Sequence, residues 1–368
     1  MIRRIALTFL GAALAAATSD PVPVVVHEWG TFTSIAGADG RAVEWTPQAG
    51  PSDLPCFVVR KRFNVKGSLR GTVRMETPVL YFYAPGETHV NVRVRFNSGV
   101  ITEWFPPASV TGTPGPIGRT TNGSISWTNV AIAPGLEPEF ASEPGPSHYY
   151  RARETDASPV VADGDRERFL FYRGVGAFDV GISAAVAGDG SVLVSGAPGT
   201  ALGDVIMFEN RGGAMASEVS RVDGDRIVLA PPAPQPESAP PLAELEQMLI
   251  ARGLFEREAR AMVATWRDSW FEEGARLLYI VPQRVVDAIL PLDIAPVPSS
   301  VTRVFVGRLE LVTPATLQRV GDAIAAGDRD ALARYGRFLE PIARRLGAAR
   351  VPSGEAVDRC LAMSSTGS

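Results

Sequence analysis

Three carboxylates lie inside apolar, β-prone runs of the sequence, where an ionisable side chain must be exposed, paired or functional. Glu28 lies in the run VVVHEWGTFTSI, Glu76 in residues 72–83 and Glu103 in residues 99–105. Two carboxyl groups placed together can act as general acid and general base, as in the hydrolysis of a glycosidic bond. We therefore take Glu76, Glu103 and Glu28 as candidate catalytic residues of a hydrolase that would act on a polymer.

His27 directly precedes Glu28, but the two side chains are not expected to act together. Successive residues of a regular strand point to opposite faces, so Glu28 shares a face with Val26 and Phe32. A joint site would need a β-bulge, which Gly30 could permit. Two interpretations stay open: a metal ligand or general base, or a structural histidine beside a carboxylate that is paired with arginine.

Arginines recur beside the carboxylates, and this recurrence is the stronger signal. The alternation groups Arg74 and Glu76 with Leu80 and Phe82, Glu103 with Ile101 and Phe105, and Arg308 and Glu310 with Val304 and Val306. A buried charge without a partner costs several kcal/mol, on the order of 5 kcal/mol. The set therefore forms either a buried network of arginine and carboxylate pairs or a polar cleft, and the network is favoured.

A second group of residues could bind a ligand. His148 and Tyr149 follow a loop at residues 133–147 that is rich in Pro, Gly and Ser, and long loops on a β scaffold often carry binding sites. Trp104 could stack on a sugar, although packing in the core is the commoner role of such residues. The predicted ligand-binding residues are His148, Tyr149, Arg74, Arg173 and Trp104.

Metal binding and cofactor chemistry find little support in the motifs. His89 lies on the polar face of a predicted strand, which leaves His27 and His148 as the attractive imidazoles. A site with three histidines is then disfavoured, and two histidines with Glu76 or Glu103 stay as a weaker hypothesis. No metal ligand is assigned, and the identity of any cofactor is left open.

Several catalytic classes lack their motifs. The sequence contains no H-E-x-x-H, no G-x-S-x-G, no P-loop and no dinucleotide fingerprint. The formal charge is −4, and it becomes −6 once Arg3 and Arg4 are removed with a signal peptide. Since there is no basic block either, nucleic acid is not an expected partner.

Residues 1–17 are typical of a secretory signal peptide. Arg3 and Arg4 precede an apolar stretch, and three alanines at 15–17 form a small-residue cleavage site. We therefore expect an exported, periplasmic or secreted protein with no integral membrane segment in the mature chain. Cys56 and Cys360 could form a disulfide in such a compartment, or stay as two thiols.

The order of segments predicts a mainly β fold. A β-rich body at residues 18–229 is followed by a Pro-rich linker at 230–241, a helical hairpin at 242–274, strands that rejoin the body at 275–312, and C-terminal helices and tail at 313–368. The predicted class is antiparallel and sandwich-like, with a helical hairpin insertion, α+β overall.

Several segments resemble a family of exported bacterial proteins for which no activity is established. They are HEWGTFTS, RMETPVLYFY, ITEWFP, FLFYRGVG, TWRDSWFEEGARLLYIVP and RVFVGRLE, and they are spread over most of the chain. The resemblance implies export and one shared architecture, and it carries over no catalytic residues.

These observations favour a non-catalytic binding or envelope-associated protein whose ligand is an envelope component or a glycan. The alternative is the hydrolase with paired carboxylates, and a His/Glu metal site is the weaker third hypothesis. The oligomeric state is not predicted.

Overall fold

The computed structural model describes residues 22–49, 53–61, 69–113, 122–145, 147–199, 201–348 and 360. Within them the fold is mainly β, with several largely antiparallel sheets and a smaller number of helices. The predicted signal peptide at residues 1–17 lies outside the described residues.

Eighteen strands are found in the described residues. They are β1 (Val22–Ile35), β2 (Val59–Arg60), β3 (Val73–Tyr83), β4 (Thr88–Phe96), β5 (Gly99–Phe105), β6 (Ser109–Thr111), β7 (Gly123–Ile132), β8 (Val160–Ala162), β9 (Asp165–Glu167), β10 (Leu170–Gly176), β11 (Ile182–Val186), β12 (Val192–Gly196), β13 (Gly203–Arg211), β14 (Ala214–Val222), β15 (Arg226–Leu229), β16 (Gly274–Ile280), β17 (Leu292–Ala295) and β18 (Pro298–Leu311).

The helices mostly follow the β-rich part of the chain. They are α1 (Leu242–Ala251), α2 (Glu256–Trp270), α3 (Gln283–Ile289), α4 (Pro314–Ala326), α5 (Arg329–Ala333) and α6 (Leu339–Arg345), with two 3₁₀ helices at His148–Arg153 and Gly336–Phe338. The sequence predicts one helix over residues 329–346, and this is wrong. Gly336 has a φ of +47°, which a right-handed helix does not accommodate, so the segment breaks into three short pieces.

A nine-stranded sheet forms the centre of the fold. Its strand order is β14-β13-β16-β18-β1-β3-β10-β5-β2, so β1 and β18, from opposite ends of the chain, are neighbours at its centre. The expectation of antiparallel pairing fails at one place, because β1 and β18 are parallel. Parallel neighbours need a crossover connection, and here residues 36–297 lie between the two strands.

Two smaller sheets cover one face of the nine-stranded sheet. One contains β17-β4-β7-β8-β9 with β6 paired to β7, and the other contains β11-β12-β15. β4 shows the predicted alternation, with Val90, Val92, Val94 and Phe96 buried. A single apolar core joins all three sheets, and we call the side of the central sheet that faces it the inner face.

Helices cover the other side of the central sheet, the helical face. α1, α2 and the first 3₁₀ helix pack over one apolar cluster that includes Trp29, Val79 and Trp266. The C-terminal helices pack over a second cluster around Trp45 and Phe338. The helical face therefore has two apolar areas.

A line of bulges interrupts the central sheet between these areas. The β1–β3 register shifts between Trp29 and Thr31, where Thr77 and Pro78 stand opposite Gly30. Met75 and Leu80 consequently face the same inner core although five positions separate them. The extra residue reverses the predicted grouping, since Arg74 and Glu76 lie on the helical face and not beside Leu80 and Phe82.

The neighbouring strands show the same irregularity. The β10–β5 register shifts between Arg173 and Gly174, where Thr102 is the extra residue. Ile101 faces the inner core and Phe105 the helical face, so the prediction that both share a face with Glu103 is wrong. The predicted grouping of Arg308 and Glu310 with Val304 and Val306 is correct, because β18 keeps a regular register there.

Candidate functional site

Charged side chains cross the helical face between its two apolar areas, and we call this group the charged band. Strand register places the members side by side: Arg276 is opposite Glu310, Arg173 is opposite Glu103, and Thr33 stands between Arg308 and Arg74. Residues opposite each other in a ladder share a face. The charged band consists of Asp53, Arg74, Glu76, Glu103, Arg173, Glu272, Arg276, Arg308, Glu310 and Arg337.

Most cations of the charged band are paired with carboxylates in the structure. Arg173 binds Asp53 through both terminal nitrogens, at 2.7 and 2.9 Å. Its Nε and Nη2 also donate to the hydroxyl of Thr77 at the bulge, at 3.1 and 2.9 Å. Nη2 of Arg337 lies 2.7 Å from Oε1 of Glu76. The bulge and a loop residue thus hold a buried guanidinium in one orientation.

Arg308 forms the centre of the second half of the charged band. Its Nε donates to Glu310 at 2.6 Å, and its Nη2 donates to Glu272 at 2.5 Å. Arg276 lies 3.0 Å from the same Glu310 carboxylate. Phe338 lies under the Arg308 guanidinium, 4.8 Å from ring centroid to Cζ. The C-terminal helices are thereby tied to the central sheet.

The arginines determine the charge state of Glu76 and Asp53. Burial acts to raise the pKa of Glu76, but Arg337 and Arg74 outweigh it, and the pKa is lowered. Burial acts in the same direction on Asp53, and Arg173 holds its pKa well below the ordinary value. A carboxyl group with a lowered pKa keeps its negative charge at neutral pH. Glu76 is therefore placed to accept hydrogen bonds and is poorly placed to donate a proton.

Arg74 differs from the other arginines of the charged band. Burial lowers its pKa, and Glu76 acts in the opposite direction. Its guanidinium donates to the main-chain carbonyl of Pro47. The predicted ligand-binding residues Arg74 and Arg173 thus lie together, and the structure surrounds both with protein groups.

Water reaches the charged band at both ends, at Asp53 beside Arg173 and at Glu272 beside Arg308. The side chains of Arg308 and Glu76 are 1% and 3% exposed, whereas those of Asp53 and Glu272 are 36% and 30% exposed. Glu103 is half-buried opposite Arg173 and accepts hydrogen bonds from Gln48 and Thr102. The interior of the band therefore offers little room to a substrate.

Glu28 is separated from the other two catalytic candidates by the sheet itself. It lies on the inner face, where it accepts hydrogen bonds from Arg303 at 2.6 Å and from the hydroxyl of Tyr172. Burial and the Glu28 carboxylate raise the pKa of Tyr172 well above the ordinary value. Glu76 and Glu103 both belong to the charged band, and Glu28 lies on the opposite face of the sheet.

His27 points to the helical face, as strand alternation predicts. Its Nδ1 is 2.7 Å from Oε2 of Glu258, which also accepts from the main-chain N–H of Phe255 at the start of α2. Tyr83 donates to the same carboxylate at 2.7 Å. His27 and Glu28 therefore have separate partners on opposite faces.

Two predicted ligand-binding aromatics are packed inside the protein. Tyr149 is 2% exposed and donates to Glu167, which also binds Arg153. Trp104 belongs to the inner core. Their side chains stabilise the fold around the site and present no free ring face to solvent.

His148 lies at an open groove on the surface. The groove has a volume of about 780 Å³, and its walls are the start of the first 3₁₀ helix, the N-terminal half of α1 and residues 260–268 of α2. Nε2 of His148 is 3.5 Å from Oδ2 of Asp268. Ligand sites of proteins typically measure roughly 300–1,000 Å³. His148 is a predicted ligand-binding residue that faces such a space.

The groove also contains residues that the sequence analysis missed. Arg260 and Arg267 point from α2 into it, with Val263 between them. The helical period indicates that the two arginines share a face, but a pair of arginines on a polar helix face is common and marks no function. Only the position of the 3₁₀ helix opposite α2 makes them part of a site.

Neither a metal centre nor a membrane helix is found in the part of the chain that the structure describes. No group of three His, Cys, Asp or Glu side chains there is arranged to hold a metal ion. None of its helices combines the length and the apolar composition needed to cross a membrane.

Comparison with protein-family models, with curated proteins and with solved structures gave no match.

Proposed function

We propose that this chain is an exported, non-catalytic binding protein whose ligand occupies the groove beside His148. The observation that carries the proposal is the groove itself, since it combines a volume suited to a ligand with charged side chains that solvent can reach. The charged band has the opposite character, because its interior is buried and most of its cations are paired with carboxylates. We assign the charged band the role of joining the central sheet to the helices that cover the two apolar areas of the helical face.

Export is supported by the disulfide between Cys56 and Cys360, whose Cα atoms are 5.4 Å apart. Disulfides persist in oxidising compartments and are rare in the cytosol. The predicted signal peptide and the family resemblance point to the same location. Envelope components and glycans are therefore the ligands to try first.

The test measures thermal unfolding of the purified protein in the presence of soluble glycans and fragments of the bacterial envelope. A ligand present at 100 times its Kd should stabilise the folded state by about 2.7 kcal/mol. Ala264→Trp places a large side chain in the groove and should abolish the shift. Ala325→Trp changes an equally exposed alanine on α4, outside the groove, and should leave the shift intact.

Two results would contradict the proposal. One is a stabilising ligand whose effect survives Ala264→Trp. The other is cleavage of glycan, ester or peptide substrates that is lost in Glu76→Gln, since this would favour the hydrolase. No observation in the structure favours that alternative, because the charge of Glu76 is held by arginines and Glu28 lies on the other face of the sheet.

A further inference from the structure

We propose that the groove binds an elongated dianion, a ligand with two negatively charged groups about 10 Å apart and an apolar segment between them. This rests on the proposed function, and it adds the chemical class of the ligand. It is argued from the spacing of the cations in the groove, from the surface between them and from their lack of strong partners.

Arg260 and Arg267 are seven residues apart on α2. Seven residues make almost two helical turns and a rise of about 10.5 Å, so the two side chains leave the same side of the helix from Cα atoms about 10 Å apart. Val263 and Ala264 lie between them in the groove. The wall therefore has a cation at each end and the exposed Ala264, beside the buried Val263, in the middle.

Both cations keep donors for a ligand. Arg267 has no hydrogen bond or ion pair to any described residue, and its side chain is exposed. Arg260 makes one contact, in which Nη2 donates to Glu256 at 3.1 Å, and 61% of its side chain is exposed. A guanidinium carries five N–H donors that match a carboxylate or a phosphate.

The other walls of the groove carry charged residues of both signs. Arg151 lines the groove from the 3₁₀ helix and is held by Glu154. The acidic lining residues are Glu246 and Asp268, and Asp268 faces His148 at 3.5 Å. Glu154 and Glu256 already accept from Arg151 and Arg260, so the preference for an anion rests on Arg267 and on the donors that Arg260 keeps.

A chain-length series of linear dicarboxylates tests the proposal. Affinity is measured by NMR titration or calorimetry at low ionic strength, because exposed charges are screened by salt. We expect an affinity maximum for the dicarboxylate whose carboxylates are about 10 Å apart, with a monocarboxylate of equal length at least ~10-fold weaker, as expected for the loss of one charge-assisted pair.

Variants locate the binding in the groove. Arg267→Ala and Arg260→Ala should each weaken the best dicarboxylate by about 10-fold and remove the preference for length. Arg226→Ala removes an exposed arginine on β15, outside the groove, and should change neither property. An affinity that is independent of length, or unchanged in both α2 variants, would overturn the proposal.

The groove as a ligand site and the dianion as its ligand are contradicted by different results. If uncharged glycans bind and are blocked by Ala264→Trp while dicarboxylates do not bind, the groove is a ligand site and the dianion is wrong. If dicarboxylates bind with the expected length preference but Ala264→Trp has no effect, the site is elsewhere and both proposals fall.

Discussion

Asp53 shows how much one side chain near the surface contributes to the interior. It lies on the loop before β2 and still supplies both carboxylate oxygens to the buried Arg173. The same guanidinium holds the hydroxyl of Thr77 at the bulge. Removing the carboxylate would leave a buried cation with one neutral acceptor, which is a costly arrangement.

The first prediction concerns the pH dependence of stability through Asp53. Its pKa is lowered in the folded state, so the stabilisation is complete above the unfolded pKa of about 3.9 and is lost as the pH falls below that value. Wild-type protein should therefore lose stability steeply below about pH 4, and Asp53→Asn, already less stable at pH 7, should lose less. Urea unfolding at several pH values measures this.

Asp322→Asn is the matched control for that experiment. Asp322 is exposed and has no ion pair to the described residues, so its variant should keep the wild-type pH profile. A profile of Asp53→Asn as steep as that of the wild type would show that other carboxylates determine the acid sensitivity.

The second prediction concerns Gly307 in β18. A Cβ atom at this position would lie 2.1 Å from Cζ of Tyr279 on the neighbouring strand. Gly307→Ala should therefore lower the free energy of unfolding by about 2 kcal/mol or more, because a packed ring must move. Gly86→Ala is the control, since its added methyl group meets nothing within 4 Å, and it should be close to neutral. Equal stability of both variants would contradict the packing around Tyr279.

The sequence was informative about single residues where the strands are regular. The alternation correctly placed His27 and Glu28 on opposite faces, and it grouped Arg308 with Val304 and Val306. It failed at Arg74 and Glu76, because the extra residue lies at Thr77, a residue type that does not indicate a bulge. Pairing partners such as Asp53 and Arg337 are far away in the chain and no periodic pattern marks them.

At the scale of elements, the bulge at Thr77 decides which face the charged residues of β3 occupy. Thr77 has a φ of +46°, which is rare for a β-branched residue. The conformation is held by the two donors of Arg173 to its hydroxyl. The strain and the hydrogen bonds therefore oppose each other at one residue.

The third prediction separates these two effects. Thr77→Ala loses the hydroxyl and keeps the strained φ, so it should destabilise the fold by about 1–3 kcal/mol. Thr77→Gly loses the same hydroxyl but accepts a positive φ, so it should be more stable than Thr77→Ala by about 1 kcal/mol. Chemical unfolding of both variants gives the difference. A glycine variant less stable than the alanine variant would contradict the strained conformation.

The helical elements were predicted with mixed success. The α1–α2 hairpin follows from the apolar stripe that includes Met262 and Trp266 and from the glycines that bound it. The sequence did not reveal the break at Gly336, because apolar residues continue with helical spacing on both sides of it. The groove was missed for another reason: it depends on how the 3₁₀ helix packs against α2.

At the scale of the whole molecule, the disulfide connects positions 304 residues apart. It links the loop that carries Asp53 to the far C-terminal part of the chain. By restricting the unfolded chain, a cross-link over so long a loop can contribute at most about 5 kcal/mol.

The fourth prediction is that replacing both cysteines, Cys56→Ser with Cys360→Ser, lowers the midpoint of thermal unfolding by several degrees. Wild-type protein in a reducing agent should unfold at the same lower temperature, which controls for the effect of serine itself. Calorimetry with and without reductant measures both. An unchanged midpoint would mean that the cross-link does not restrict the unfolded chain.

The sequence predicted the mainly β character and the place of the helices, but not the order of the strands. Each strand shows which face is apolar, and no strand shows which partner it pairs with. The parallel pairing of β1 with β18 was therefore not foreseen, although both strands were recognised as such.

That pairing has a consequence for how the chain acquires its structure. β1 needs β18 on one side, and β18 ends at Leu311, so the middle of the central sheet is incomplete until most of the protein has been synthesised. Contacts between residues this far apart form slowly. The N-terminal part of the chain thus stays without its native neighbour during translation, a state compatible with passage through a membrane as an unfolded chain.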